Sequence, residues 1–480
     1  MKLKLLCAAL AGASVLVTAC GGSGGHSTPD TPAISTPSKN VIFFLGDGMG
    51  ITTLTAARIY SVGEDGELTI DQLPETAFVH TYSNDGQVTD SAPSMAAYMT
   101  GVKMNNEVIS MSADTQATDA DGKPYHVKYD STCPTTNGAP VETLLEQMKA
   151  KGYGTGVVTT TRVTHATPAA TYAHVCHRDA ENTIAAALVP GGAGYNARLG
   201  DGVDVVFGGG TSYFTPTSAA GGKRNDGRDL IDELKKARYS FAANKAEFDK
   251  LPADGSTKIA GLFTKDHMAY DLDRDASKEP SLAEMTGKAI DALAAKKKGF
   301  FLMVEGGRID HALHATNARR ALQDTVAFDN AIQAALDRMQ AIDPGLKNTL
   351  VVVTADHDHT LQMNGYAKVT GKTAPGNPGV LGLVKDYVKG QPSKDVDGNP
   401  YTVLGFGNGP GHKATRGAIS DAELESADYL QESVVPMPAG GETHGGGDVF
   451  LGATGLGADN FSGVLTNNEV FGLIKKSIGL

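Results

Sequence analysis

Val41-Ile42-Phe43-Phe44-Leu45 runs without a polar interruption into Gly46-Asp47-Gly48-Met49-Gly50. Five large apolar residues in a row, stopped by a glycine-rich turn, read as a strand covered on both faces, as in parallel sheets. Gly156 to Thr159, Val203 to Phe207, Phe300 to Val304, Leu350 to Thr354 and Thr402 to Gly405 read the same way. Between them, residues 141–151, 281–297 and 316–339 carry helical periodicity. Strands alternating with helices predict an α/β fold, a mostly parallel central sheet with helices on both faces. Ligands in such sheets gather at the carboxyl ends of the strands. Residues 212–280 and 361–443, rich in Gly, Pro, Lys and Asp, read as insertions on one domain spanning 39–480.

The chain has 480 residues, with 42 Lys and Arg against 54 Asp and Glu and a formal charge of −12. That acidity argues against nucleic-acid binding, which is driven by phosphate neutralisation. At the N-terminus, Lys2 and Lys4 precede the apolar stretch Leu5 to Val17 and the small-residue run Val17-Thr18-Ala19, the pattern of an export signal over residues 1–19. Val-Thr-Ala-Cys resembles the bacterial lipoprotein signal, which predicts acylation of Cys20; an ordinary signal cleaved nearby, giving a soluble periplasmic or secreted protein, is the alternative. Gly21 gives no aspartate-type retention signal, so the outer membrane is the expected destination, with membrane contact through the lipid anchor only. Residues 20–38 are Gly, Ser, Thr and Pro with almost no large apolar side chain, a flexible tether. Export also leaves Cys133 and Cys176 as an even pair that an oxidising compartment can join; spacing alone leaves both the disulfide and two free thiols open.

The chemistry collects where the strands stop. The turn holding Asp47 lacks the G-x-G-x-x-G spacing of a dinucleotide site, so Asp47 is either a turn residue or a metal ligand. Strand 300–304 ends in Glu305-Gly306-Gly307-Arg308-Ile309-Asp310, followed by His311 and His314; on a helix, Asp310 and His314 share one face at i and i+4. Strand 350–354 ends in Asp356-His357-Asp358-His359, and Glu442-Thr443-His444 follows downstream. Carboxylates and imidazoles without thiolates point to catalytic zinc or a mixed zinc and magnesium site, since structural zinc usually recruits cysteine. Ser91, at the start of a helix beginning Ser91-Ala92-Pro93, is either a nucleophile at the positive helix end or a plain cap. His165-Ala166-Thr167-Pro168 and Arg178 could add a hydroxyl ligand and a guanidinium, although Arg178 alone reads as a surface residue.

Taken together, Gly46 to Gly50, Thr89-Asp90-Ser91-Ala92, His165 to Pro168, Val304 to His314, Thr354 to His359 and Glu442 to His444 resemble the signature blocks of the alkaline phosphatase family, in that family's order. The resemblance implies a metal-dependent phosphomonoesterase with a phosphoserine intermediate at Ser91. It implies that Asp310, His314 and His444 hold one zinc and that Asp47, Asp356 and His357 hold a second. Asp47 would also bridge to a magnesium held with Thr167 and Glu305. Arg178 becomes the phosphate clamp, Asp90 its neighbour, and His165, His311 and His359 stand behind the ligands. His165 and His311 occupy positions where enterobacterial members carry Asp and Lys and animal-type members carry His, which leaves the third ion as magnesium or zinc. Phe263 is followed by Thr264 instead of an acid, although Glu279 remains, so the calcium of animal-type members is not expected. The long segment between His359 and His444 is like their crown insertion, and a homodimer follows by resemblance. Two rivals were weighed: a related sulfatase or phosphodiesterase, against which stand Met95, where a sulfatase needs Arg, and the arginine clamp; and a surface lipoprotein that only binds metal or phosphate.

Overall fold

A computed structural model describes residues 39–480. The expected signal peptide 1–19, Cys20 and the tether 20–38 lie outside the described residues. Ten strands form one sheet, in the order Gly463–Thr466, Glu75–His80, Val449–Gly455, Thr349–Ala355, Asn40–Gly46, Phe300–Gly306, Gly154–Arg162, Val205–Gly209, Lys258–Leu262 and Tyr239–Ala242. Only Val449–Gly455 runs against the rest, antiparallel to both of its neighbours. The three central strands 40–46, 300–306 and 349–355 are buried at every residue, which requires cover on both faces and accounts for their unbroken apolar runs.

One set of covering helices is Ile51–Val62, Leu282–Ala294 and Ala318–Ile342, which pack on one another. Ser281 and Glu284 form a capping box that starts the second, and the Asn317 side chain accepts from Arg320 N–H to start the third. Phe328 of that third helix meets Phe44 edge-on at 5.9 Å, tying helix to central strand. A second set joins Ser91–Thr100, buried throughout, to Leu144–Ala150 and Asn467–Ile478. Among the described residues no helix is long and apolar enough to cross a membrane.

Register is what positions the chemistry. Gly46 pairs with both Gly306 and Ala355, so three adjacent strands end level. Asp47, Glu305 and Asp356 therefore emerge side by side at one edge of the sheet.

Three sequence expectations change. Thr402 to Gly405 was expected in the central sheet; the strand is Leu404–Gly409 and belongs to a separate three-stranded sheet with Leu361–Met363 and Ser433–Pro436. Its apolar run is too short to specify a partner and glycines interrupt it. Residues 212–280, read as an insertion, supply Tyr239–Ala242 and Lys258–Leu262 to one edge of the main sheet. The strands Glu75–His80, Val449–Gly455 and Gly463–Thr466 escaped sequence reading, because partial exposure breaks the apolar signal.

Cys133 and Cys176 are joined in a disulfide with Cα atoms 6.0 Å apart. The bond closes a sequence separation of 43 residues, a loop whose constraint in the unfolded chain is worth about 4 kcal/mol. We expect Cys133→Ser with Cys176→Ser to lower unfolding free energy by about that amount in urea titrations, with a steeper slope than the parent because the unfolded chain is less constrained.

Candidate active site and metal centre

The first group assembles on the short helix Arg308–His314, which presents Asp310 and His314 on one face. His314 Nε2 lies 3.2 Å from Asp310 Oδ1, and His444 Nε2 lies 3.5 Å from the same oxygen. The two imidazole Nε2 atoms are 3.2 Å apart. His444 Nδ1 donates to the Thr89 carbonyl at 2.8 Å, and His314 Nδ1 donates to the Glu442 carbonyl. With the proton on Nδ1 in each neutral ring, both Nε2 lone pairs point into one small space beside a carboxylate. That arrangement fits a cation, since lone pairs otherwise face each other.

The second group surrounds Ser91. Ser91 Oγ lies 3.3 Å from Asp47 Oδ1 and 3.3 Å from His357 Nε2. His357 Nε2 is 3.3 Å from Asp47 Oδ1 and 3.5 Å from Asp356 Oδ2. His357 Nδ1 donates to the Asp358 carbonyl at 3.2 Å, again leaving Nε2 as the ligand nitrogen. Asp356 Oδ1 accepts from Gly48 N–H at 3.0 Å, while Asp356 Oδ2 is buried without a hydrogen-bond partner among the described residues. Gly48 sits at φ +67°, and a Cβ there would fall 2.5 Å from His359 Nε2. Only glycine lets the turn after the first strand pass this close.

On the other side of Asp47, its Oδ2 meets Thr167 Oγ1 at 3.5 Å, and Asp47, His165 and Glu305 place one ligand atom each within 4.8 Å of one another. Thr159 and Thr161 hydroxyls donate to Glu305 Oε2, but Glu305 Oε1 is buried with no partner among the described residues. Asp47 thus offers one oxygen to each side, as a bridging ligand must.

Ser91 begins the helix Ser91–Thr100, whose cap is Asp90: its Oδ1 accepts from Ala92 N–H at 2.7 Å. Arg178 is largely buried, not a surface residue; its Nη1 donates to Asp90 Oδ1 at 3.0 Å and its Nη2 to His165 Nε2 at 3.1 Å. The guanidinium is therefore held flat beside the N-terminus of the serine helix. His359 donates to Asp310 Oδ1 at 2.9 Å and to Glu442 Oε2 at 2.6 Å. His311 accepts from Arg308 Nη1 at 3.0 Å and lies 5.4 Å, ring to ring, from His165.

Every expected ligand and catalytic residue from 47 to 444 falls in this one region. Sequence reading missed two contributors. Glu442 orients His359 and also receives Thr360 N–H at 2.8 Å; its place beside His444 was the available signal. The His267 ring lies 4.1 Å from that of His311, tilted by 55°, and carried no local signal. At the expected calcium region, Thr264 Oγ1 donates to Asp266 O and Glu279 Oε2 accepts from Ala269 N–H.

The electrostatics expose what the side chains lack. Burial, then the charge of Asp310, pushes Asp47 up to about 8. Burial, then Asp47, pushes Asp356 up to about 7 and raises Glu305 well above the ordinary carboxylate range. Burial, then His357, drives His444 down to about 3, so that ring is neutral. Buried carboxylates that cannot all ionise, beside neutral imidazoles, form a binding set for divalent cations.

These features define a class: a hydrolase on an α/β scaffold, with a serine set among carboxylates and imidazoles able to bind metal at the carboxyl edge of a mostly parallel sheet. Residues 38–480 match the family described as Alkaline phosphatase, and the chain belongs to that family. It is 38% identical over 466 residues to the human tissue-nonspecific isozyme of alkaline phosphatase, covering 90% of this chain and 82% of that protein. It is 37% identical to an alkaline phosphatase of Gadus morhua, with 90% of each chain covered. The Thermus thermophilus alkaline phosphatase structure matches with a TM-score of 0.64 at 24% identity, over 94% of this chain and 93% of that one. The protein is accordingly a metal-dependent phosphoric monoester hydrolase, and the sulfatase, diesterase and binding-only readings fall away.

A carboxyl group whose pKa is raised by folding stabilises the fold at low pH and loses that contribution as pH climbs through the folded-state value. Chelated protein should therefore melt at progressively lower temperature as pH rises from the ordinary carboxylate range, about 4, and level off above about 7 and about 8, the folded values of Asp356 and Asp47. Metal-loaded protein, with these groups ionised throughout, should show no such fall; thermal scans of both forms across that range check it.

Proposed function

We propose that Ser91 is the nucleophile that takes the phosphoryl group, that Arg178 clamps it, and that three divalent cations complete the site. The observation carrying this reading is the placement of Ser91 Oγ 3.3 Å from both Asp47 Oδ1 and His357 Nε2, at a helix N-terminus beside a guanidinium. Asp310, His314 and His444 would hold one zinc, and Asp47, Asp356 and His357 the other. Asp47, Thr167 and Glu305 would hold magnesium, with zinc as its competitor because His165 adds an imidazole. Bound there, such ions supply Lewis acidity: they acidify hydroxyl groups and neutralise phosphoryl charge.

The chain's own residues do the rest. Asp90 fixes both partners of the reaction, capping the serine helix with one oxygen while holding Arg178 with the same carboxylate. The serine hydroxyl aims its hydrogen at Asp47 Oδ1, and the helix N-terminus favours the incoming dianion. Arg178 can bind two phosphoryl oxygens as a fork, which lysine cannot. The ester oxygen leaves as an alcohol, and water then cleaves the serine phosphate to release inorganic phosphate.

The proposal extends to the cell envelope, with an exported chain anchored through acylated Cys20 by the 20–38 tether; a soluble periplasmic or secreted form is the alternative. It extends also to a homodimer. Among the described residues, eight of the 17 exposed large apolar side chains fall between Met363 and Val435, including Tyr366, Val388 and Val434, which supports an interface on this crown-like segment. Small phosphomonoesters are the substrates.

Ser91→Ala should lower kcat for an aryl phosphate about a thousandfold or more while inorganic phosphate still binds. Arg178→Lys should raise KM about tenfold or more. Steady-state kinetics with phosphate inhibition decide both, and parental turnover in Ser91→Ala would remove the nucleophile assignment. Cys20→Ser should move activity from the detergent-extractable membrane fraction to the soluble fraction; activity that is soluble in the parent selects the unanchored form.

A further inference from the structure

A second cluster of ligand-type side chains lies beside the site and takes no part in the chemistry above. His126 stands on a tight hairpin in which His126 pairs with Ser131 and Val127 with Asp130. His177 and Asp179 flank Arg178 in sequence. His126 Nε2 is 3.6 Å from Asp179 Oδ2, and the His126 and His177 rings are 4.6 Å apart. One ligand atom from each of the three residues falls within 4.8 Å of the others. His126 Nδ1 is buried with no hydrogen-bond partner among the described residues. His177 Nδ1 accepts from Asp179 N–H at 3.2 Å, a hydrogen bond that an ion bound at this nitrogen would replace.

We propose that His126, His177 and Asp179 form a fourth metal site, for a divalent transition ion of the zinc class, that fixes the segment carrying Arg178. Two imidazoles and one carboxylate are the donor set such ions favour over magnesium or calcium. Tetrahedral zinc bonds of about 2.0–2.1 Å put neighbouring ligand atoms about 3.3 Å apart, so the 3.6 Å separation of His126 and Asp179 needs little closing. Burial holds His177 below the ordinary imidazole range, which keeps the ring neutral and competent as a ligand.

The two halves of the site are already tethered. Cys133 follows the His126 hairpin, Cys176 precedes His177, and the disulfide between them joins the two segments. The hairpin turn itself is costly: Lys128 and Tyr129 adopt φ of 49° and 69°, a left-handed pair that usually calls for Asn and Gly. Asn182 N–H donates to the Tyr129 carbonyl at 2.9 Å and Ser131 N–H to Thr183 Oγ1 at 2.9 Å, which hold that turn against the helix Glu181–Ala187. An ion at Asp179 would also remove one anionic neighbour of the Arg178 guanidinium; this, with the expected KM change, rests on Arg178 as the phosphate clamp.

The test uses the full-length zinc-loaded protein and its variants Asp179→Asn, at an exposed position, and His126→Ala. Crystals measured on both sides of the zinc absorption edge should show an anomalous peak between His126, His177 and Asp179. Each variant should lose about one zinc per chain by elemental analysis, keep the parental kcat and raise KM severalfold. Hydrolysis by the parent on the same preparation distinguishes a poorly loaded sample or a failed catalytic assignment from an empty fourth site. A parent crystal with zinc peaks around Ser91 and none between these three residues, or variants with undiminished zinc content, would overturn the proposal.

Discussion

Four carboxylates crowd into one buried space: Asp47, Glu305, Asp310 and Asp356. Isolated charges of one sign in such a place are among the most costly arrangements a fold can contain, and burial together with a neighbouring carboxylate raises the pKa of two of them, Asp47 and Asp356. The cluster makes sense only with divalent cations inside it. The rest of the local structure answers to that constraint. Parallel strands in level register bring the acids together, a left-handed glycine at position 48 lets the first turn pass beneath His359, and backbone carbonyls take the Nδ1 protons of three histidines.

Those carbonyl contacts matter as much as the ligands. Thr89, Asp358 and Glu442 each accept from an imidazole Nδ1, which selects the tautomer with a free Nε2 and fixes the ring plane. Glu442 serves twice, by its carbonyl toward His314 and by its carboxylate toward His359, which in turn holds Asp310. A single residue outside the ligand set thereby controls two of the groups around the first cation position. Removing its side chain would free His359 to rotate and leave Asp310 with one partner fewer.

The central strands were legible because both of their faces are buried, so that every residue is apolar and the run needs no period to be seen. The acids were legible for the same reason, since each stands where such a run stops. Sequence could not show which strands pair. Strand 75–80 alternates between buried and exposed residues and pairs with strands hundreds of residues away, and the run at 402–405 looks central while pairing in a side sheet with 361–363 and 433–436. Arg178 shows the same limit. Nothing beside it in sequence signals burial, because the partners that bury it, Asp90 and His165, arrive through the fold. Asp47 illustrates the opposite case: a turn residue by local rules, it offers one oxygen to each of two candidate positions only when strand register sets it next to Ser91 and Glu305.

The histidine at 165 links two parts of the site that sequence reading treated separately. It lies within reach of the Asp47 and Glu305 cluster and also accepts from Arg178 Nη2 at 3.1 Å. Burial, then the charge of Arg178, holds its pKa well below the ordinary imidazole range, so it contacts the guanidinium as a neutral acceptor. An aspartate in its place would pair with Arg178 as a second carboxylate beside Asp90 and would compete with a phosphate dianion for the same N–H groups. The neutral ring leaves one carboxylate partner on the arginine, so less must be broken when phosphate arrives. On the proposed assignment, the third cation position would gain an imidazole in place of an acid. On that reading, a softer ion and a less occupied clamp would be two consequences of one side chain.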